Sequence, residues 1–129
     1  MDNKELGFLE PVDFQFELLG KMNARDQKAF LGQTLKDLDV ATQMADDMLK
    51  YWKKGDADNL YPLLFKSFED YPQIENRLIG QRNRHWVKKI EEMMAEEKNM
   101  FIIVGAGHLI GPGSVVALLK EKGYRVKQE

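Results

Sequence analysis

Cysteine is absent from the 129 residues of this chain. That removes disulfides, thiolate catalysis and zinc–thiolate sites, and leaves the redox compartment undecided. Any bound metal ion must therefore use histidine, aspartate, glutamate or water, and the chain has only two histidines. An excess of one charge sign is also missing: 19 Lys and Arg stand against 21 Asp and Glu, a net charge of -2. Such a balance provides no electrostatic footprint for nucleic acid or anionic lipid. No apolar run approaches the roughly 18–20 residues of a membrane span. The opening MDNKELGFLE has neither the basic nor the apolar region of a signal peptide, so these residues alone read as a soluble chain that is not exported. The length allows one domain, residues 1–129, around one core.

What is present is periodic. Leu6 to Leu9 reads as a short buried strand ending at Glu10, and Pro11 opens the next element. Val12, Phe14, Phe16, Leu18 and Leu19 suit either a strand or a helix, and the lack of turn residues before Gly20 favours the helix. From Arg25 to Trp52, apolar residues including Leu31, Leu35, Leu38 and Met48 recur at steps of three or four, which predicts one amphipathic helix. Lys53-Lys54-Gly55 ends it with cations at the negative pole and a glycine beyond. Asp56 to Phe68 reads as a further helix capped by Asp56 or Asp58, and Tyr71-Pro72 breaks it. A long helix follows from about Gln73 to Lys98, with Leu78, Ile79, Trp86, Val87, Ile90 and Met94 turned inward.

Met100 to Val104 is a continuous apolar run of the kind buried on both faces of a sheet. A glycine-rich turn leads into a helix around Val115, Leu118 and Leu119, closed by Gly123, and Tyr124 to Gln128 makes a last strand. Strand, helix, strand predicts a βαβ unit with parallel strands and a right-handed crossover. The expected fold class is α/β, with α+β as the alternative: helix-rich, with a small, mainly parallel sheet and a C-terminal βαβ unit.

His108 lies just past the end of the Met100–Val104 run, where open α/β sheets collect ligands. Gly105 and Gly107 allow a sharp turn and a close neighbour, and three uses for the histidine stay open: phosphate cradle, metal ligand or filled corner. The first is disfavoured because Ile110 occupies the third glycine position of a G-x-G-x-x-G fingerprint. On the preceding helix, Arg82 is four residues from both Leu78 and Trp86, and Asn83 is four from Ile79 and Val87. Both polar side chains therefore point along the apolar stripe. A guanidinium placed there needs an anionic partner, for which Glu10 and Asp13 are the candidates. The pair would serve either as a structural ion pair or as an active-site cation for a carbonyl, carboxylate or phosphate. Arg84, His85 and Lys88 fall towards the polar side. If Leu6–Leu9 pairs beside Phe101–Val104, Glu10 and His108 meet at one sheet edge and could bind a divalent metal or share a proton. Two ligands are one short of a catalytic zinc site.

Three stretches together resemble the TraB/GumN family, which includes the Tiki-type metalloproteases. "FIIVGAGHLIGPGSVVALLKEKGYRV" is similar to its closing G-x-x-H motif, here Gly105-Ala106-Gly107-His108. "RLIGQRNRHWVKKIEEMM" resembles its Arg-Asn helix, here Arg82 and Asn83, and "LGFLEPVDFQFELLGKM" its G-L-E-T-x-x-x-Q region, on which Glu10 and Gln15 fall. Pro11 stands where threonine is usual, and Phe8 intervenes after Gly7. The family's first histidine motif, G-T-x-H, has no counterpart, so the chain reads as the C-terminal part of such a domain, a truncated form.

The resemblance implies a metal-dependent hydrolase or peptidase, with Zn, Mn or Co as the metal. Glu10, Arg82, Asn83 and His108 would be the catalytic residues. His108 and Glu10 would ligate the metal or act as acid and base, while Arg82 and Asn83 would orient substrate or stabilise an oxyanion. Full-length bacterial relatives are often extracytoplasmic, which leaves localisation open. The expectation for this chain alone is little or no catalysis. The competing reading is a non-catalytic binding or interaction domain that keeps the fold. A homo-oligomer is expected from unpaired sheet edges, together with a peptide or small-molecule substrate.

Overall fold

Three helix starts are set by short polar side chains in the computed structural model, which describes residues 4–129. Residues 1–3, part of the opening read above for a signal peptide, lie outside the described residues. Helix α1, Asp13–Gly20, follows Pro11. Asn23 then accepts a hydrogen bond from the Asp26 amide at 2.8 Å and opens α2, Ala24–Leu38. Helix α3, Ala41–Lys54, ends at Gly55 with φ 66°, the left-handed closure that the Lys53-Lys54-Gly55 sequence predicts. Asp56 caps α4, Ala57–Phe65, which tightens into a 3₁₀ turn over Lys66–Phe68. Pro72 starts α5, Pro72–Glu75, where its missing N–H costs nothing. A π turn, Asn76–Gly80, joins it directly to α6, Gln81–Met94. A 3₁₀ turn at Ala106–His108 and α7, Val115–Glu121, capped by Ser114, complete the order.

The core lies between α6 and α7. Trp86, Val87, Ile90 and Val115 are buried there, and Leu9, Val104, Leu118 and Leu119 pack against them. Burying each such side chain contributes about 1.5–3 kcal/mol, so this contact is what fixes the glycine-rich loop against α6. Further buried apolar residues come from earlier in the chain: Met22 from the turn between α1 and α2, Leu60 and Phe65 from α4, and Ile74 from α5. No helix among the described residues is long and apolar enough to cross a membrane.

The α/β expectation is overturned: no residue among those described lies in a strand, and there is no sheet and no βαβ unit. Leu6–Leu9, Met100–Val104 and Tyr124–Gln128 lie outside all regular elements and form no ladder. Phe101 and Ile103 are 89% and 80% exposed, the opposite of a strand buried on both faces. The physical reason is that a strand is not a local property. Its backbone N–H and C=O groups need a neighbouring backbone, and an apolar run supplies only one side of that pairing. The single helix expected over residues 25–52 is also two, α2 and α3, interrupted at Asp39 and Val40. Both are poor helix formers, and the stripe of Leu31, Leu35 and Leu38 is exposed, so no packing compensates for the break.

The loop before α7 is shaped by one contact. Gly111 has φ +79°, and a Cβ there would come within 2.1 Å of the Tyr61 ring. Gly113 has φ +71° but open space around it. Gly111→Ala should therefore cost about 2 kcal/mol, from left-handed strain plus overpacking, against about 1 kcal/mol for Gly113→Ala. Urea unfolding of the two variants checks this; equal losses would show that Tyr61 simply moves aside.

Candidate functional site

Arg82 and Trp86 stand one turn apart on α6 and meet the same carboxylate. Arg82 Nε donates to Glu10 Oε2 at 3.1 Å, its Nη2 donates to Glu10 Oε1, and its Nη1 donates to the Leu78 carbonyl at 3.1 Å. Trp86 Nε1 donates to Glu10 Oε2 at 3.1 Å. The side chains of Arg82 and Glu10 are only 13% and 12% exposed, and the guanidinium carbon lies 4.9 Å from the Trp86 ring centre. This bidentate, nearly dry pair is the partnership that Arg82's place on the apolar stripe requires. Glu10, not Asp13, supplies it.

Asn83 organises the other half. Its Nδ2 donates to the Gly113 carbonyl at 2.9 Å, and a carbonyl can only accept. Asn83 Oδ1 therefore faces His108 Nδ1, 2.6 Å away, and must accept from it. His108 is thereby held with its proton on Nδ1 and a lone pair on Nε2. The imidazole is 7% exposed and lies against Trp86, with ring centres 4.4 Å apart. Burial foremost, then the Arg82 charge, lowers its pKa to about 4, and Glu10 offsets part of the effect. At neutral pH the ring is an uncharged base and donor. Asn83 thus ties the imidazole to the glycine-rich loop through its two amide atoms.

All four residues singled out from the sequence, Glu10, Arg82, Asn83 and His108, thus gather around Trp86. Trp86 itself read only as a core residue, although its place four residues after Arg82 was the available signal. Gly113 contributes through a backbone carbonyl, which no side-chain pattern reveals. Arg84 and His85 are exposed, as their helix positions indicate.

The donor set does not complete a metal site. Among the described residues, no group of three His, Cys, Asp or Glu could hold an ion. Glu10 already accepts two guanidinium N–H groups and an indole N–H, which leaves His108 Nε2 as the open donor. Catalytic zinc normally takes three protein ligands. A glycine-rich loop with no preceding strand also lacks the setting of a dinucleotide fingerprint.

The described residues thus form a helical domain in which an anchored, neutral imidazole lies beside a nearly buried guanidinium–carboxylate pair. The profile of the TraB/PrgY/gumN family matches residues 1–128, and the chain belongs to this family. Several of the proteins it is similar to carry metalloprotease names. A metalloprotease TIKI homolog of Nematostella vectensis is 26% identical over 98% of this chain and 32% of its own length. Metalloprotease TIKI2 of Xenopus tropicalis is 23% identical over 96% of the chain and 29% of its own length. Human metalloprotease TIKI1 is 24% identical over 96% and 30%. The chain spans about a third of the length of these relatives. No solved structure gives a significant match.

Proposed function

We propose that this chain contributes His108, Asn83, Arg82 and Glu10 to the site of a metal-dependent hydrolase acting on peptide bonds. The observation that carries the reading is His108, buried and tethered through Nδ1 so that Nε2 alone is available. Metal dependence enters from the relatives, whose names make them metalloproteases. From this chain it would draw on His108 Nε2 and a Glu10 oxygen. Arg82 would otherwise hold negative charge near the imidazole, and Trp86 would keep the cluster dry. Two donors leave the set one short, so the chain acting alone is expected to hydrolyse no peptide even with Zn, Mn or Co added. A second reading, a binding domain without catalysis, draws on the Glu10–Arg82 pair, in which each charge already has its partner.

Calorimetric titration with each metal separates the two. Under the hydrolase reading, His108→Ala and Glu10→Ala each weaken binding at least about tenfold, the loss of one ligand or its support. Unchanged binding in both variants would remove the site assignment and leave the binding-domain reading. Hydrolysis by the unaided chain on metal addition would overturn the expectation of inactivity.

A further inference from the structure

Asn83 has a second neighbourhood. It also lines a cavity of about 240 Å³ between the π turn of residues 76–80 and the glycine-rich loop. The apolar walls come from Phe65, Pro72, Ile79, Ile110 and Pro112. An apolar cavity of about 150 Å³ already accepts benzene, whereas ligand pockets for larger molecules run from about 300 Å³ upward. This one suits a single side chain, not a nucleotide.

Two features show that the cavity is held in shape. The π turn inserts an extra residue into the helix, a distortion often found at functional sites, and Ile79 and Gly80 of that turn both line the space. At the rim, Arg84 Nη2 donates to Asn76 Oδ1 at 2.7 Å. A Cβ on Gly80 would meet Asn76 Oδ1 at 3.0 Å and Arg84 Nη1 at 3.3 Å, so glycine lets the rim stay closed. Glu75 and Arg84 line the cavity with opposite charges, and neither has an ion-pair partner among the described residues. Their charges sum to zero, so the cavity as a whole favours neither sign of charge, and the contacts open to a neutral side chain are those with the apolar walls.

We propose that this cavity is a subsite for one apolar side chain, of leucine to phenylalanine size, from a polypeptide bound at the His108 site. Asn83 is the shared element: the amide that holds His108 and the Gly113 carbonyl also forms part of the wall. A side chain seated there would rest against Asn83, the residue bonded to the imidazole at Nδ1. The polypeptide nature of the occupant rests on the hydrolase reading; the size and apolar character rest on the cavity.

The test is two-dimensional NMR of the metal-free chain titrated with N-acetyl-leucinamide. Saturable shifts are expected at Ile79 and across residues 107–113, with millimolar affinity for so small a probe. N-acetylglycinamide should leave these signals in place, and Ile110→Trp, which fills the cavity, should weaken the leucine probe at least about tenfold. If Ile110→Trp does not fold, Pro112→Trp at the exposed mouth takes its place. Equal shifts from the glycine probe, unchanged binding in the filled variant, or tighter binding of N-acetyl-lysinamide would each overturn the proposal. The experiment uses neither metal nor turnover, so its failure is distinct from failure of the metal titration.

Discussion

Arg82→Leu destabilises the protein by about 3–5 kcal/mol, while the double replacement Glu10→Leu with Arg82→Leu loses less than the sum of its two singles. Removing the guanidinium strands a carboxylate that is 12% exposed and keeps only the Trp86 N–H. Removing Glu10 strands a guanidinium that retains only the Leu78 carbonyl, and it also leaves the Trp86 N–H without its acceptor. Either unpaired group must be desolvated without compensation, which is costly in a domain whose whole stability is about 5–15 kcal/mol. Replacing both charges with apolar side chains removes the desolvation problem and returns packing to the stripe of Leu78 and Trp86. Urea unfolding with shared baselines yields the cycle. A single-variant loss below about 1 kcal/mol would mean that solvent already screens the pair, as it does at the surface.

The second large effect is set by pH. His108 titrates at about 4 in the folded chain, below its ordinary 6.5. Between these values the unfolded chain binds a proton that the folded chain does not, so stability rises with pH. The contribution is fully present above the unfolded value and is lost as pH falls towards the folded one. Metal-free protein should therefore lose up to about 3 kcal/mol on acidification through this window. In His108→Gln, whose amide can still donate to Asn83, that part of the slope disappears. His85 is exposed and present in both proteins, so the difference between the two stability curves isolates His108. Parallel curves from pH 7.5 to 4.5 would show that the buried ring takes up its proton without penalty.

The candidate site was far more legible in the sequence than the fold was. Arg82 and Asn83 announced themselves because a helix converts spacing directly into a shared face, and a guanidinium on that face demands an anion. The same local logic located the Gly55 closure, the Asp56 cap and the break at Pro72, since each depends on a few neighbouring residues. It failed for Leu6–Leu9 and Phe101–Val104, whose apolar character was plain but whose pairing depends on backbone elsewhere. It failed again at Asp39-Val40, where continuing the helix needed a packing surface for Leu31, Leu35 and Leu38 that the fold does not supply.

By itself, then, the sequence determined the helix faces and caps, the need of Arg82 for a carboxylate, the family motifs and the shortage of metal donors. Only the tertiary structure decided that no sheet forms among the described residues, that Glu10 is the carboxylate, and that Trp86 joins it. It also decided that Asn83 fixes the tautomer of His108 and walls a side-chain-sized cavity. The division follows from range: capping and periodicity act within about one helical turn, whereas burial, pKa shifts and hydrogen bonds between α6 and the glycine-rich loop exist only once distant segments pack together.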